Sequence, residues 1–446
     1  MRKYFGTDGV RGIANQELTP ELAFQLGRYG SYQLTKGEAN QKIVIGRDTR
    51  LSGEMLESSL IAGILSMGVD VIQLGVVSTP CVAYLTRHLK AAGGVMISAS
   101  HNPFPDNGIK FFNHQGFKLS DEEEAQIETY LAETEDHLPR PTGANLGKII
   151  KQADAVEAYL TYLQSTINTD LTGLKIVVDG ANGAAYSLAP QLLTRLGAEV
   201  ITIFNTPNGV NINEECGSTH PEQLQQRVKE EKADIGLAFD GDADRLIAVD
   251  EQGEIIDGDQ IMYICGAYLK ENGRLKNNTV VATVLSNLGF FKAMESLNID
   301  TVTTKVGDRY VTEELRQGGY SLGGEQSGHI IFFDYNTTGD GLLTAVQLLQ
   351  VIKSKNQSAS SLRKGMKLYP QIMINVKVKE KEGWDSNAAI MKSIRQVEEQ
   401  LGSAGRILVR PSGTEPLIRI MAEGPDKEKV KQYVQHVADV VQQELG

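Results

Sequence analysis

The sequence is poor in cysteine, and it contains no long apolar run. Three cysteines, Cys81, Cys216 and Cys265, stand among 446 residues. An odd and widely spaced set excludes a disulfide framework, shows no metal-type spacing and fits a reducing compartment. No apolar stretch approaches the roughly 18 residues of a membrane span, and the opening MRKYFGTDGVRGI lacks the apolar core of a signal peptide. We therefore expect a cytoplasmic protein without membrane insertion.

Positive charge is also in deficit. The formal net charge is −12 at pH 7, from 44 Lys and Arg against 56 Asp and Glu. This balance disfavours nucleic acid as a partner. If the protein binds an anionic ligand, its cations must therefore be concentrated locally. The composition is otherwise that of a packed globular chain, 41% hydrophobic and 22% charged, and at about 100–200 residues per domain the length indicates three or four domains.

Three segments share one rhythm of apolar strand, loop, helical stretch and second strand. They span residues 41–75, 174–204 and 278–308. Near-continuous apolar strands are typical of parallel, buried sheets. We predict an α/β fold of three related domains with mainly parallel mixed sheets. The alternative is that the recurrence is only the ordinary pattern of any doubly wound sheet.

The C-terminal segment has a different pattern. An alternating strand, QIMINVKVKE, is followed by a helix, two strands and a final helix. This order predicts a smaller α+β domain with an antiparallel sheet. Together with linkers predicted at 137–147, 250–260 and 354–365, it places the domain boundaries at 1–150, 151–254, 255–366 and 367–446.

Three aspartates follow the apolar strand ADIGLAF, at Asp240, Asp242 and Asp244. Alternate residues of an extended chain point to one side, and three carboxylates on one side repel unless a cation lies among them. Carboxylate oxygens suit Mg²⁺ or Ca²⁺. An EF-hand loop is disfavoured because Arg245 occupies the position that needs Gly. A solvated acidic turn is the remaining alternative.

A second motif, SASHNP at 98–103, ends another apolar run. A catalytic serine needs a base within reach, and in an extended chain His101 points away from Ser100. The G-x-S-x-G motif of hydrolases is absent. Because carboxylates for a metal favour phosphoryl chemistry, Ser100 is a candidate phosphate carrier. The plain alternative is a turn or N-cap serine.

Three further stretches combine glycine with polar side chains. GGEQSGH (323–329) can present a dense set of hydrogen-bonding groups to sugar hydroxyls. RPSGTEP (410–416), with Arg419 soon after, has the cations and backbone N–H groups of a phosphate cradle. YFGTDGVRG (4–12) is too rich in glycine for a frayed terminus and suggests a link to a site. Each could also be an ordinary polar turn.

In combination and in this order, the motifs FGTDGVRG, SASHNP, DGDADR, GGEQSGH and RPSGTEP resemble those of the α-D-phosphohexomutase superfamily. The resemblance covers essentially the whole chain. It implies four domains around a central cleft, the first three α/β and the fourth smaller. It also implies a small phosphosugar substrate, and a homodimer is an open alternative for the assembly.

The resemblance implies a role for each residue at a matching position. It implies that Ser100 is phosphorylated in the active enzyme and that one Mg²⁺ is held by Ser100, Asp240, Asp242 and Asp244. It implies that protons are handled by Arg11, His101 and Lys110. It implies substrate binding by Arg245, Gly307, Asp308, Glu325, Ser327, His329, Arg410, Ser412, Gly413, Thr414 and Arg419.

Gln326 stands where the phosphomannose and phosphoglucose branch typically has Met, and this resembles the glucosamine-specific branch. The implied reaction converts glucosamine 6-phosphate to glucosamine 1-phosphate through a hexosamine 1,6-bisphosphate, for UDP-N-acetylglucosamine and cell-wall synthesis. Closure of the fourth domain would exclude water. The alternatives are a phosphomannomutase/phosphoglucomutase, a catalytically silent phosphosugar-binding regulator, and a phosphoserine phosphatase-like hydrolase.

Overall fold

The three strand–helix–strand segments of the sequence each build a sheet of their own. The computed structural model describes residues 3–6, 8–38, 40–152, 154–412 and 416–446. The chain divides into a first unit, Met1–Val284 with Ile299–Lys364, and a second unit, Leu285–Asn298 with Gly365–Gly446. No helix within the described ranges is both long enough and apolar enough to cross a membrane.

The first sheet is formed by residues near the N-terminus. Its strands are β1 (Phe5–Gly6), β2 (Gly9–Ile13), β3 (Lys42–Arg47), β4 (Asp70–Val76), β5 (Gly93–Ile97), β6 (Asp106–Asn113) and β7 (Ile149–Ile150). They are ordered β1-β2-β6-β5-β3-β4-β7. The same part of the chain forms helices α1 (Pro20–Thr35), α2 (Ser52–Leu65), α3 (Thr79–His88) and α4 (Asp121–Ala132).

The second sheet is formed by β8 (Lys175–Asp179), β9 (Glu199–Ile203), β10 (Ile235–Phe239), β11 (Leu246–Asp250) and β12 (Ile255–Ile256). Its strands are ordered β12-β11-β10-β8-β9. The helices of this segment are α5 (Ala155–Ser165), α6 (Ala185–Arg195) and α7 (Glu222–Glu231). Strand β10 is buried along its whole length.

The third sheet has four strands, fewer than the other two sheets described in the first unit. Its strands are β13 (Thr279–Thr283), β14 (Asp300–Thr304), β15 (Leu322–Gly324) and β16 (Ile330–Phe332). They are ordered β14-β13-β15-β16. The helices of this segment are α8 (Gly258–Glu271), α9 (Leu288–Ser296), α10 (Asp308–Gly318), α11 (Gly341–Lys355) and α12 (Ala359–Arg363).

The three sheets repeat one topology. Each has a parallel core in which the first strand lies between the second and the third: β4-β3-β5, β9-β8-β10 and β14-β13-β15. In each, the next strand along the chain (β6, β11 or β16) then returns antiparallel beside the third. The prediction of three related α/β domains with mixed sheets is therefore confirmed.

The repeat has a direct consequence for the sequence motifs. The turn between the third and fourth strands spans residues 98–105 in the first sheet, 240–245 in the second and 325–329 in the third. These turns carry the SASHNP, DGDADR and EQSGH sequences. Three motifs that are far apart in the chain thus occupy the same topological position.

The second unit contains the predicted C-terminal α+β domain. Its strands β17 (Gln371–Lys377), β18 (Arg406–Pro411) and β19 (Leu417–Glu423) form an antiparallel sheet ordered β17-β19-β18. Helices α13 (Ala388–Leu401) and α14 (Lys427–Leu445) contribute apolar residues to one core with this sheet. Although α9 connects β13 to β14 along the chain, it belongs to this unit, where the Leu288 N–H donates to Glu423 Oε2 at 2.6 Å.

Two glycines allow α1 and α2 to cross in close contact. A Cβ added at Gly27 would lie 2.2 Å from the carbonyl oxygen of Leu60, and one added at Gly63 would lie 2.1 Å from the carbonyl oxygen of Phe24. Both contacts are with backbone, which cannot move aside as a flexible side chain can. The crossing is therefore available only to residues without a side chain at these two positions.

We expect Gly63→Ala to destabilise the first unit by about 1–3 kcal/mol, because overpacking forces a buried contact apart. Differential scanning calorimetry will detect this as a lower midpoint temperature for the unfolding of the first unit. The control is Ser58→Ala on the exposed face of the same helix, where we expect a change within about 0.5 kcal/mol. An unchanged transition for Gly63→Ala would contradict the close crossing.

Candidate active site

The three aspartates lie in the tight turn between β10 and β11. Asp240, Asp242 and Asp244 are all buried, and one carboxylate oxygen from each lies within 4.8 Å of the others. The sequence prediction of an extended segment is wrong, although the predicted convergence is correct. Ala243 has a left-handed φ of 57°, and its N–H donates to the Asp240 carbonyl at 3.0 Å. The turn, and not strand alternation, brings the carboxylates together.

The three carboxylates are held in different electrostatic environments. Burial, followed by the negative charges of Asp244 and Asp242, raises the pKa of Asp240 well above its ordinary value. Burial also acts to raise the pKa of Asp242, but the Lys110 ammonium 2.8 Å away prevails and lowers it. Asp242 Oδ2 also accepts a hydrogen bond from Thr79 Oγ1 at 2.6 Å. Asp242 is therefore charged, and Asp240 resists being charged without a further cation.

The same carboxylates have the features of a cation site. Among the described residues, Asp242 Oδ1 and Asp244 Oδ1 are buried and have no hydrogen-bond partner. Buried polar atoms are normally paired, so each of these oxygens has capacity for a ligand. Hard, oxygen-rich donor sets of this kind suit Mg²⁺. The residues present therefore fit the implied metal.

Ser100 lies against this turn. Its hydroxyl donates to Asp240 Oδ2 at 2.6 Å, and its Oγ lies 3.2 Å from Nδ1 of His101. The expectation that His101 points away from Ser100 is wrong, because Ser100 has a left-handed φ of 52° and the chain is not extended there. Burial, then the positive charges of Arg245 and Arg11, lower the pKa of His101 to about 4, so its imidazole is neutral at neutral pH.

The unusual backbone of Ser100 is held on both sides. Its N–H donates to Ser98 Oγ at 2.9 Å, and Ser98 in turn donates to Asp48 Oδ2 at 2.6 Å. Its carbonyl accepts from Arg50 at 3.0 Å and from Asn213 Nδ2 at 2.9 Å. A left-handed backbone at a residue other than glycine costs free energy, and it persists where surrounding contacts enforce it.

Sequence reasoning assigned no role to Ser98, and it did not single out Asp48 or Arg50. Asp48 and Arg50 form a fully buried ion pair at 2.9 Å. The available signal was the charged pair in GRDTR, directly after the apolar strand β3. An acidic and a basic residue at the carboxyl end of a buried parallel strand are seldom accidental.

Asp8, to which the sequence prediction gave no separate role, lies among three cations. Arg11, Lys110 and Lys118 all form ion pairs with its carboxylate, Lys110 at 3.0 Å. Burial opposes the charge of Asp8, but the three cations hold its pKa well below the ordinary value. The N-terminal glycine-rich segment is therefore tied to the site through Asp8 and Arg11, as its composition suggested.

The turn between β15 and β16 contributes the third set of groups. Glu325 Oε1 accepts from the Gly307 N–H at 3.1 Å. His329 Nε2 lies 3.7 Å from Asp244 Oδ2 and 3.9 Å from Asp308 Oδ2. The predicted residues of this turn and of the KVGDRY loop are therefore brought to the aspartates.

Two further predicted residues belong to the same first-unit turns. The Arg245 N–H donates to Asp240 Oδ1 at 3.1 Å, and its guanidinium lies 3.8 Å from Asp244. Ser327 is exposed and lies between Glu325 and His329 on the same turn. The predicted metal and proton-handling residues of the first unit, with His329, thus lie around the aspartate turn, and Glu325 and Ser327 lie on the same turn as His329.

The remaining predicted residues lie in the second unit. Arg410 and Arg419 are direct cross-strand partners on β18 and β19, and Arg419 donates to Ser412 Oγ at 3.4 Å. Burial, followed by the charge of Arg419, lowers the pKa of Arg410. Like charges directly opposite each other are destabilising, so the pair is suited to an anion. Gly413 and Thr414, predicted for the same loop, lie outside the described residues.

Comparison with known families covers almost the whole chain. Four family models of the phosphoglucomutase/phosphomannomutase group match: alpha/beta/alpha domain I at residues 2–137, domain II at 139–253, domain III at 257–369 and the C-terminal domain at 373–440. Each of the four models covers most strands of one sheet, although β7 falls within the domain II match and β12 lies between the matches to domains II and III.

Curated relatives match over the full length of both proteins. The chain is 60% identical to the phosphoglucosamine mutase of Brevibacillus brevis and 59% identical to that of Geobacillus thermodenitrificans, covering 100% of each chain. Its fold resembles that of Aspergillus fumigatus N-acetylphosphoglucosamine mutase, solved with GlcNAc-6P and magnesium, at a TM-score of 0.70, 18% identity and coverage of 99% and 96%. With four matching domain models and relatives of this identity, the chain belongs to the phosphoglucomutase/phosphomannomutase family.

Proposed function

We propose that this protein interconverts glucosamine 6-phosphate and glucosamine 1-phosphate through a phosphorylated Ser100. The observation that carries the proposal is the 2.6 Å hydrogen bond between the Ser100 hydroxyl and Asp240 in the buried aspartate turn. It joins a phosphate carrier to carboxylates suited to a metal. The choice of an amino sugar is supported by the full-length relatives named phosphoglucosamine mutase.

The residues that would hold Mg²⁺ are Asp240, Asp242, Asp244 and the phosphate on Ser100. Bound there, the ion supplies positive charge that stabilises a transferring phosphoryl group. The chain itself prepares this place. Lys110 and Thr79 orient Asp242, while the backbone N–H of Arg245 orients Asp240.

In the proposed transfer, the phosphoryl group passes from Ser100 to the sugar. The 1-hydroxyl oxygen of the substrate attacks the phosphorus and gives up its proton to a base. The bond from phosphorus to Ser100 Oγ breaks, and Oγ takes up a proton from an acid to become the free hydroxyl. The product of this step is a hexosamine 1,6-bisphosphate, and its 6-phosphate then returns to Ser100 by the reverse step. We assign the proton transfers to His101 and Lys110, with Arg11 nearby. All three lie in the network around Ser100 and Asp8.

Binding of the phosphosugar is assigned to two sets of groups. Hydrogen bonds to the sugar hydroxyls are assigned to the turn and loop residues Glu325, Ser327, His329, Gly307 and Asp308. Arg245 adds a positive charge. We assign phosphate binding to the loop and strands of the second unit, through Arg410, Ser412, Gly413, Thr414 and Arg419. Two guanidinium groups on neighbouring strands suit a phosphate because each can make paired hydrogen bonds. Because this reaction belongs to cytoplasmic metabolism, we propose that the protein is located in the cytoplasm.

The proposal predicts that glucosamine phosphate is the preferred substrate. We expect its kcat/KM to exceed those of glucose 6-phosphate and mannose 6-phosphate by about tenfold or more, since a site built around a polar group rejects analogues without it. The assay uses Mg²⁺ and catalytic hexosamine 1,6-bisphosphate, with product isomers resolved by NMR.

Other outcomes of this assay identify the alternatives. Faster turnover of a neutral hexose phosphate would indicate a phosphomannomutase/phosphoglucomutase. Steady release of inorganic phosphate without an isomer would indicate a hydrolase. Phosphosugar binding without turnover, by a protein carrying no phosphate on Ser100, would indicate a regulator.

Substitution of the two serines of SASHNP should distinguish the residue that carries the phosphate from the residue that positions it. Ser100→Ala should abolish turnover, by a factor of about 10⁴ or more, because it removes the phosphate carrier. Ser98→Ala retains the carrier but loses the acceptor of the Ser100 N–H, so we expect a loss of about tenfold. Intact-protein mass spectrometry will measure phosphorylation of Ser100 by the bisphosphate in each variant. Wild-type turnover in Ser100→Ala would remove Ser100 from the mechanism.

Removal of the metal should stop the reaction reversibly. We expect chelation to abolish turnover and added Mg²⁺ to restore it. In the wild type, Mg²⁺ should also raise the unfolding temperature, since a ligand that binds the folded state stabilises it. Asp242→Asn should lose both responses, whereas Asp154→Asn, at an exposed helix start, should keep them. A Mg²⁺ response that survives in Asp242→Asn would place the ion elsewhere.

A further inference from the structure

We propose that Lys118 is a positioning residue that holds the substrate loop around Gly307 and Asp308 against the N-terminal segment. The inference rests on the proposed function, and it concerns a residue outside the motifs. The Lys118 side chain is only 20% exposed. Its ammonium forms ion pairs with two carboxylates, Asp8 of the N-terminal segment and Asp308 at the start of α10. One cation thus pairs with two segments that lie 110 and 190 positions from it in the chain.

The backbone places Lys118 with little freedom. It follows the turn after β6, in which the Asn113 N–H donates to the Phe117 carbonyl at 2.8 Å. Asn113 Oδ1 accepts from the N–H groups of Gln115 and Phe117 at 2.9 and 3.2 Å. Lys118 itself forms a bridge to Phe112. Strand β6 also carries Lys110, so one hairpin supplies both lysines that contact Asp8.

Lys118 is one link in a ring in which aspartate side chains alternate with lysine or histidine side chains. The ring begins and ends in the aspartate turn, and successive members are ion pairs or lie within 3.9 Å. Its members, in order, are Asp242, Lys110, Asp8, Lys118, Asp308, His329 and Asp244. Ion pairs therefore connect the metal turn to the substrate loop through Lys110, Asp8 and Lys118. On the other side of the ring, the His329 side chain lies between Asp244 and Asp308 without a hydrogen bond to either.

Loss of Lys118 affects the two carboxylates unequally. Asp8 retains Lys110 and Arg11 as partners. Asp308 retains the N–H of Arg309 at 2.8 Å and the His329 ring at 3.9 Å. The Asp308 side chain is 20% exposed, and a largely buried carboxylate that loses its cation is destabilised where it is, so the loop of Asp308 should move. Gly307 in that loop holds Glu325, which is assigned to sugar hydroxyls.

The effect should therefore appear in substrate binding. Lys110 remains paired with Asp242 and Asp8, so phosphoryl transfer itself should be little changed. For Lys118→Met we expect KM for glucosamine 6-phosphate to rise about tenfold and kcat to change less than about threefold. Lys118→Arg keeps the charge and should bring KM back to within about threefold of wild type.

A double-mutant cycle with Asp308→Asn tests the route. If Lys118 acts through Asp308, adding Lys118→Met to Asp308→Asn should raise KM by less than about twofold, because interacting residues are not additive. Lys151→Met, which removes a charge from an exposed position, is the control and should match the wild type. Calorimetry on every variant reports the unfolding temperature.

Each other result overturns the inference. Additive effects on KM would mean that Lys118 does not act through Asp308. A lower unfolding temperature with wild-type KM would mean a purely structural role, and unchanged KM and stability would mean none. Failure of the wild type to isomerise glucosamine phosphate would instead overturn the proposed function. The same cycle can then be run on whichever hexose phosphate the wild type converts.

Discussion

The negative charge of three aspartates, buried together at the end of one strand, is the constraint on which the site depends. Each carboxylate is accommodated differently. Asp240 accepts from the Ser100 hydroxyl, Asp242 is paired with Lys110, and Asp244 lies near His329. Ser100 and Lys110 come from the hairpin of β5 and β6 in the first sheet, and His329 comes from the turn before β16 in the third. The residues to which we assign catalysis and substrate binding thus also stabilise the buried carboxylates of the aspartate turn. The stability of the site is therefore coupled to its chemistry.

A repeated topology explains how these partners meet. In each of the three related sheets the same turn, between a parallel third strand and an antiparallel fourth, carries a functional motif. One fold element thus occurs three times, and to its three turns we assign the phosphate carrier, the metal site and the sugar-binding loop. The Gly241 position illustrates the closeness of the turns, because a Cβ there would lie 2.4 Å from the Ser100 carbonyl oxygen.

Much of the fold and the site could be predicted from the sequence. The strand–helix–strand rhythm correctly indicated three related α/β domains, and the C-terminal alternation indicated an antiparallel sheet. The aspartate spacing and the resemblance of the motifs led to the correct family. Two local predictions failed for one reason: both assumed extended chain. Left-handed residues at Ser100 and Ala243 turn the backbone instead, and neither residue is a glycine that would have signalled it.

The sequence by itself determined which chemical groups are present and which local elements carry them, because apolar periodicity and residue type act over short range. Only the tertiary structure decided which groups are partners. The contacts of Ser98 with Asp48, of Lys110 with Asp242 and of Lys118 with Asp308 join residues 50, 132 and 190 positions apart. Such pairings arise because buried charge must find its complement wherever packing brings one, and neither spacing nor composition encodes that choice.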